Sequence, residues 1–104
     1  MMESIARRGA VRLQGALAQN SFAITAEVTP PRGGDASRAL EAARALAGLV
    51  HAVNVTDGSR AVMRMSSLAL CRLLLEAGIE PVLQMTCRDR NRIALQADLL
   101  GAHA

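Results

Sequence analysis

A lone carboxylate, Glu27, stands in the apolar run FAITAEVT, shortly before Pro30-Pro31 and Gly33-Gly34. A carboxyl group on an inward strand face, shielded by neighbouring strands, has its proton affinity raised by desolvation and suits general acid chemistry near neutral pH. The same group could instead form a structural salt bridge with Arg32 or Arg88. Thr56 precedes Asp57, Gly58 and Ser59, a strand-end turn whose hydroxyl and backbone N–H groups can meet a ligand, although VTDG also serves as a plain turn. Gln84 and Thr86 bring amide and hydroxyl groups suited to a planar heterocycle, or to bonding one another inside a fold.

Other chemistries lack their residues. His51 falls at a helix end and His103 near the last residue, neither with a partner at ligand spacing, so no metal site and no Ser-His-Asp triad is expected. Neither GxGxxG nor GxxxxGK[ST] occurs. Met63, Met65 and Met85 read as core filler.

The elements that carry these residues follow from periodicity. FAITAEVT, residues 22–29, alternates with Phe22, Ile24, Ala26 and Val28 on one face and Thr25, Glu27 and Thr29 on the other. Pro30-Pro31 ends the pairing, and Asp35 is placed to cap a helix. ASRALEAARALAGLVH has the helical period, with Leu40, Ala43, Leu46, Ala47 and Val50 on its apolar side. AVNVT, residues 52–56, reads as a second strand. Residues 59–77 read as a second helix with Leu68, Cys71, Leu74 and Leu75 inward and Gly78 as its stop. PVLQMT is the third strand, and RNRIALQADLL the third helix of the series, with Asp89 as cap and Gly101 as stop. Residues 1–20 read as a leading helical segment that covers one end of the domain.

The strand ends Glu27, Thr56 and Thr86 recur at intervals of 29 and 30 residues, the length of a βα unit. Such units build parallel sheets that close into an eight-stranded barrel or stay open. Open sheets covered on both sides are aliphatic on both faces, whereas each strand here has one polar face. The expected fold is therefore α/β: the first three βα units of a (β/α)8 TIM barrel over residues 21–104, preceded by a helix. A complete barrel needs about 250 residues, so the 104 residues read as the N-terminal piece of one, with five strands still to come.

Composition narrows the classes. Twelve arginines, no lysine and nine acids give a net charge of +3. With no Trp or Tyr, and only Phe22 to stack on a base, nucleic-acid binding is not expected and the arginines read as a solvated surface. No apolar run approaches the roughly 20 residues of a membrane span. Cys71 and Cys87 have no CxxC spacing, so no disulfide is expected and a reducing cytoplasm fits.

Three segments, AEVTPPRGGD (26–35), VNVTDGSRAVMRMSS (53–67) and VLQMTCRDRNRIALQADLLGA (82–102), together resemble the methylenetetrahydrofolate reductase family in order and spacing. The resemblance spans residues 22–102. It implies a flavoenzyme of one-carbon metabolism that reduces 5,10-methylenetetrahydrofolate to 5-methyltetrahydrofolate, with FAD before FMN as cofactor, NAD(P)H as electron donor and folate as substrate. The family's general acid falls on Glu27, which would protonate N10 of the folate and open its ring to an iminium that accepts hydride. Thr56, the turn Asp57 to Ser59, Gln84 and Thr86 fall on segments beside the flavin. Two positions depart from the family: Asp57 replaces a tyrosine and Gln84 a histidine. The alternatives are a non-catalytic truncated relative or partner subunit, and another folate- or pterin-handling barrel enzyme such as a methyltransferase. The full-length protein could also form a homo-oligomer.

Overall fold

The computed structural model describes residues 12–104. Strands β1 (Thr25–Val28), β2 (Ala52–Val55) and β3 (Pro81–Leu83) form a parallel sheet in the order β1-β2-β3. Helix α1 (Leu13–Ala18) precedes the sheet; α2 (Ser37–Leu46), α3 (Ser67–Glu76) and α4 (Arg92–His103) follow the three strands in turn. The chain is thus a small α/β domain with a parallel three-stranded sheet, an arrangement consistent with part of a TIM barrel. Of the helical segment expected over residues 1–20, residues 13–18 are helical; residues 1–11 lie outside the described residues.

Alternation sorts the side chains between two faces. Ala26, Val53 and Pro81 form one row across the sheet, and Val28, Val55 and Leu83 the next. This face is covered: Val28, Val53 and Val55 join Ala43 of α2 and Leu70, Cys71 and Leu74 of α3 in one buried core. Each fully buried leucine or valine contributes roughly 1.5–3 kcal/mol, so this face supplies most of what holds the helices to the sheet. The opposite face carries the row Glu27, Asn54 and Val82.

The other end of the sheet is tied by side chains. The Ile24 N–H donates to His51 Nδ1 at 3.0 Å and the His51 N–H returns to the Ile24 carbonyl at 2.7 Å. That places the imidazole proton on Nε2 and makes His51 a buried structural residue. Glu80 accepts from the Leu13 N–H at 3.1 Å, fixing the start of α1.

Several boundaries differ from the periodic reading. The first strand begins at Thr25, leaving Phe22 outside it and 86% exposed. Residues 59–77 are not one helix: Gly58, Arg60 and Ala61 all have positive φ, so Ser59–Ala61 closes only a single 3-10 turn. Helix α3 starts eight residues later than Ser59, where Ser66 accepts from the Ala69 N–H at 3.2 Å. The intervening loop docks on the prolines, through Met65 N–H to the Pro31 carbonyl at 2.7 Å and Arg64 Nη1 to the Pro30 carbonyl at 3.1 Å. Leu75, expected inward, is exposed because the buried stripe runs through Ser67, Leu70, Cys71 and Leu74. Asn91, not Asp89, caps α4, and the helix continues through Gly101. Ala36, not Asp35, is the N-cap residue of α2; Asp35 lies one residue further out, where its Oδ1 accepts from the Ser37 N–H at 3.0 Å.

Candidate functional site at the C-terminal ends of the strands

Glu27, the third residue of β1, lies on the uncovered face and is exposed. Its neighbour in register, Asn54, is half-buried and donates through Nδ2 to the Ala26 carbonyl at 3.2 Å. The shielding expected of Glu27 is not supplied by residues 12–104, because only β2 flanks β1 there. Nor does either suggested arginine pair with it: Arg88 goes to Asp89 at 2.6 Å, and no ion pair joins Glu27 to Arg32 or any other described residue. Its carboxylate therefore faces outward from the sheet with no salt bridge among the described residues.

The ladder runs one residue beyond the strands. Thr56 N–H donates to the Val28 carbonyl at 3.2 Å, and Gln84 N–H to the Val55 carbonyl at 3.3 Å. Thr56 is 6% exposed and its Oγ1 is buried without a hydrogen-bond partner among the described residues. A buried hydroxyl left unpaired costs about 1–3 kcal/mol, so it is a group in want of a partner. Gln84 is held by its main chain, its carbonyl accepting from Ser67 Oγ at 2.8 Å. Its side chain makes no bond to Thr86, whose Oγ1 instead accepts from the Arg88 N–H at 3.2 Å.

Asp57 turns back into the protein. Its Oδ2 accepts from the Thr86 N–H at 2.7 Å and from Arg90 Nη1, while Oδ1 accepts from Arg90 Nη2 at 3.3 Å. Arg90 also donates to the Thr86 carbonyl at 2.6 Å and, through Nε, to Asp98 of α4 at 2.9 Å. Burial pushes the Asp57 carboxyl up, but the Arg90 guanidinium and the Thr86 amide outweigh it and hold the group below the usual carboxylate range. The bonds to Asp57 and Asp98 likewise keep Arg90 firmly charged despite its partial burial. Arg88 Nη2 donates to the Gly58 carbonyl at 2.8 Å. Gly58 sits at φ +56°, a left-handed conformation that favours glycine, and a Cβ there would lie 3.1 Å from Arg88 Nη2, close enough that the arginine side chain would have to shift slightly. Ser59 is exposed at the start of the 3-10 turn.

A cavity of about 430 Å³ opens beside these loops, lined by Asp57, Gly58, Met63, Arg64, Thr86 and Arg90. A second, of about 210 Å³, lies at the opposite end of the sheet among His51, Ile79 and Glu80, away from Glu27 and Thr56. No group of three or more potential metal ligands occurs among the described residues, and no described helix is long and apolar enough to cross a membrane. Cys71 and Cys87 are both free thiols.

The model of one protein family, methylenetetrahydrofolate reductase, matches residues 12–104. The chain belongs to the methylenetetrahydrofolate reductase family. No curated protein and no solved structure matches it. Membership in the methylenetetrahydrofolate reductase family implies an oxidoreductase of one-carbon metabolism, acting in folate reduction, and the family generally binds FAD.

Arg90 escaped the sequence reading. Composition reads it with the other arginines as solvated surface, yet its side chain is only 14% exposed and makes two of the four ion pairs among the described residues. The polar alternation of CRDRN carried a signal for a folded loop, but nothing in it specified a partner 33 residues away.

Proposed function

We propose that the chain carries the proton-donating part of a flavin-dependent 5,10-methylenetetrahydrofolate reductase, built as the first three βα units of a TIM barrel. The observation that carries this reading is the position of Glu27. In a chain of this family, it is a carboxyl group on the one sheet face that no described helix covers, in register with a polar Asn54. A group so placed can meet a substrate lying across the strand ends, and a carboxylic acid there can hand its proton to a ring nitrogen. N10 of the folate is the atom that needs it, since protonation makes it a leaving group from the bridging carbon.

The residues present suit a planar cofactor beside that proton donor. Thr56 offers a buried hydroxyl with both bonding capacities unspent among the described residues, and Gln84 offers a side-chain amide at the neighbouring strand end. Bound FAD would supply hydride to the bridging carbon, with NAD(P)H as the source of electrons. Glu27 donates the proton, while Thr56, Gln84, Thr86 and the turn of Asp57, Gly58 and Ser59 orient the ring system and exclude water from one side of it. The uncharged Gln84 keeps the hydrogen-bonding reach of the position without adding a second titrating group.

Glu27→Gln tests the reading. Flavin reduction by the nicotinamide donor should proceed as in the unsubstituted protein, while reduction of methylenetetrahydrofolate falls by about 100-fold or more, the range for losing a general acid. Unimpaired folate turnover in that variant would overturn the assignment of Glu27.

A further inference from the structure

We infer that Arg90 is a positioning residue for the cofactor-facing loops, acting through Asp57, whose carboxylate it holds. This rests on the proposed flavin site. One guanidinium reaches three separate pieces of chain: the Asp57 carboxylate after β2, the Thr86 carbonyl after β3, and the Asp98 carboxylate on α4. The Asp57 carboxylate in turn holds the Thr86 N–H at 2.7 Å. The turn carrying Thr56 to Ser59 and the strand end carrying Gln84 and Thr86 are therefore joined by a closed cycle, Asp57 to Arg90 to Thr86 and back to Asp57.

The cycle has two consequences for a ligand. It sets the separation of the two loops, because shifting either one breaks a charge-assisted bond whose partner side chains are 11% and 14% exposed. It also withdraws the Asp57 charge from the cofactor side. Both oxygens of that carboxylate are occupied by Arg90 and by the Thr86 amide, so an electron-rich ring or a nicotinamide donor meets a hydrogen-bonded, ion-paired carboxylate and not a bare anion, while Asp98, which shares the guanidinium, is the more exposed of its two partners. The hydrogen bonds and ion pairs of Arg90 go to Asp57, Thr86 and Asp98 and not to the proposed proton donor, so its effect is on binding and orientation.

Flavin titrations of the full-length protein, compared across Arg90→Gln, Asp57→Asn and the double variant, test this, with amide hydrogen exchange at Thr86 measured on the same samples. Arg90→Gln alone strands the Asp57 charge; flavin Kd should rise by about tenfold or more and the Thr86 amide exchange faster. Adding Asp57→Asn restores an uncharged hydrogen-bonding pair and should recover most of the flavin affinity, a rescue that general destabilisation does not produce. The bound flavin's visible spectrum should shift in Arg90→Gln and return towards that of the unsubstituted protein in the double variant. If Arg90→Gln leaves both the flavin Kd and the spectrum unchanged, the positioning role is wrong while the proposed function stands. If the unsubstituted protein binds no flavin, the proposed function itself fails and takes the positioning role with it.

Discussion

Asn54 lies level with Glu27 on the next strand, and its Nδ2 donates to the Ala26 carbonyl immediately before Glu27, at 3.2 Å. The bond braces the backbone that aims the Glu27 side chain. Asn54→Ala should cost about 1 kcal/mol in denaturant unfolding, the usual net worth of such a bond. Asn54→Asp replaces the donor with a second carboxylate level with the first, and like charges directly opposite repel. It should destabilise more than Asn54→Ala at low salt and lose much of that excess at about 1 M salt, which screens charges this exposed. Equal effects of the two substitutions at both salt concentrations would contradict the register.

Thr56 offers a discriminating substitution because its Oγ1 is buried without a partner among the described residues. Thr56→Val keeps the shape and removes the unsatisfied hydroxyl, so the ligand-free protein should be as stable as before, or more so by up to about 1 kcal/mol. If the hydroxyl serves a bound flavin, the same variant should bind flavin about five- to tenfold more weakly, and Thr56→Ser should bind normally. Thermal melts with and without flavin separate the two effects. A Thr56→Val variant with unchanged flavin affinity would remove Thr56 from the site.

Acid should loosen the loop cycle in a defined direction. The folded Asp57 carboxyl sits below its unfolded value of about 3.9, so its contribution to stability is present above that pH and is lost as pH falls through the folded value. Asp57→Asn should cost stability at neutral pH, by roughly 3 kcal/mol at most if Arg90 is left poorly paired. The gap between the variant and the unsubstituted protein should be constant above about pH 5 and close below about pH 4. Unfolding free energies across that range check the sign; a gap that widens in acid would be the wrong one.

The sequence by itself determined the repeating order of strand and helix, because period-two and period-3.6 patterns need only local side-chain geometry. It also determined which residues share a face: Glu27 and Asn54 lie on one side of the sheet and Val28, Val53 and Val55 on the other, as alternation requires. Motif order and spacing likewise carried the family. Tertiary structure alone decided the rest. The long helix expected from Ser59 stops at a single turn because positive φ at Gly58, Arg60 and Ala61 redirects the chain onto the Pro30 and Pro31 carbonyls. Phe22 belongs to an alternating pattern that the sheet does not extend to meet. Asp57 and Arg90 looked like a turn residue and a surface charge, and became partners only when parallel pairing brought the ends of β2 and β3 side by side. Periodicity reports a residue's own face; it carries no information about which distant charge will stand opposite once two strands align.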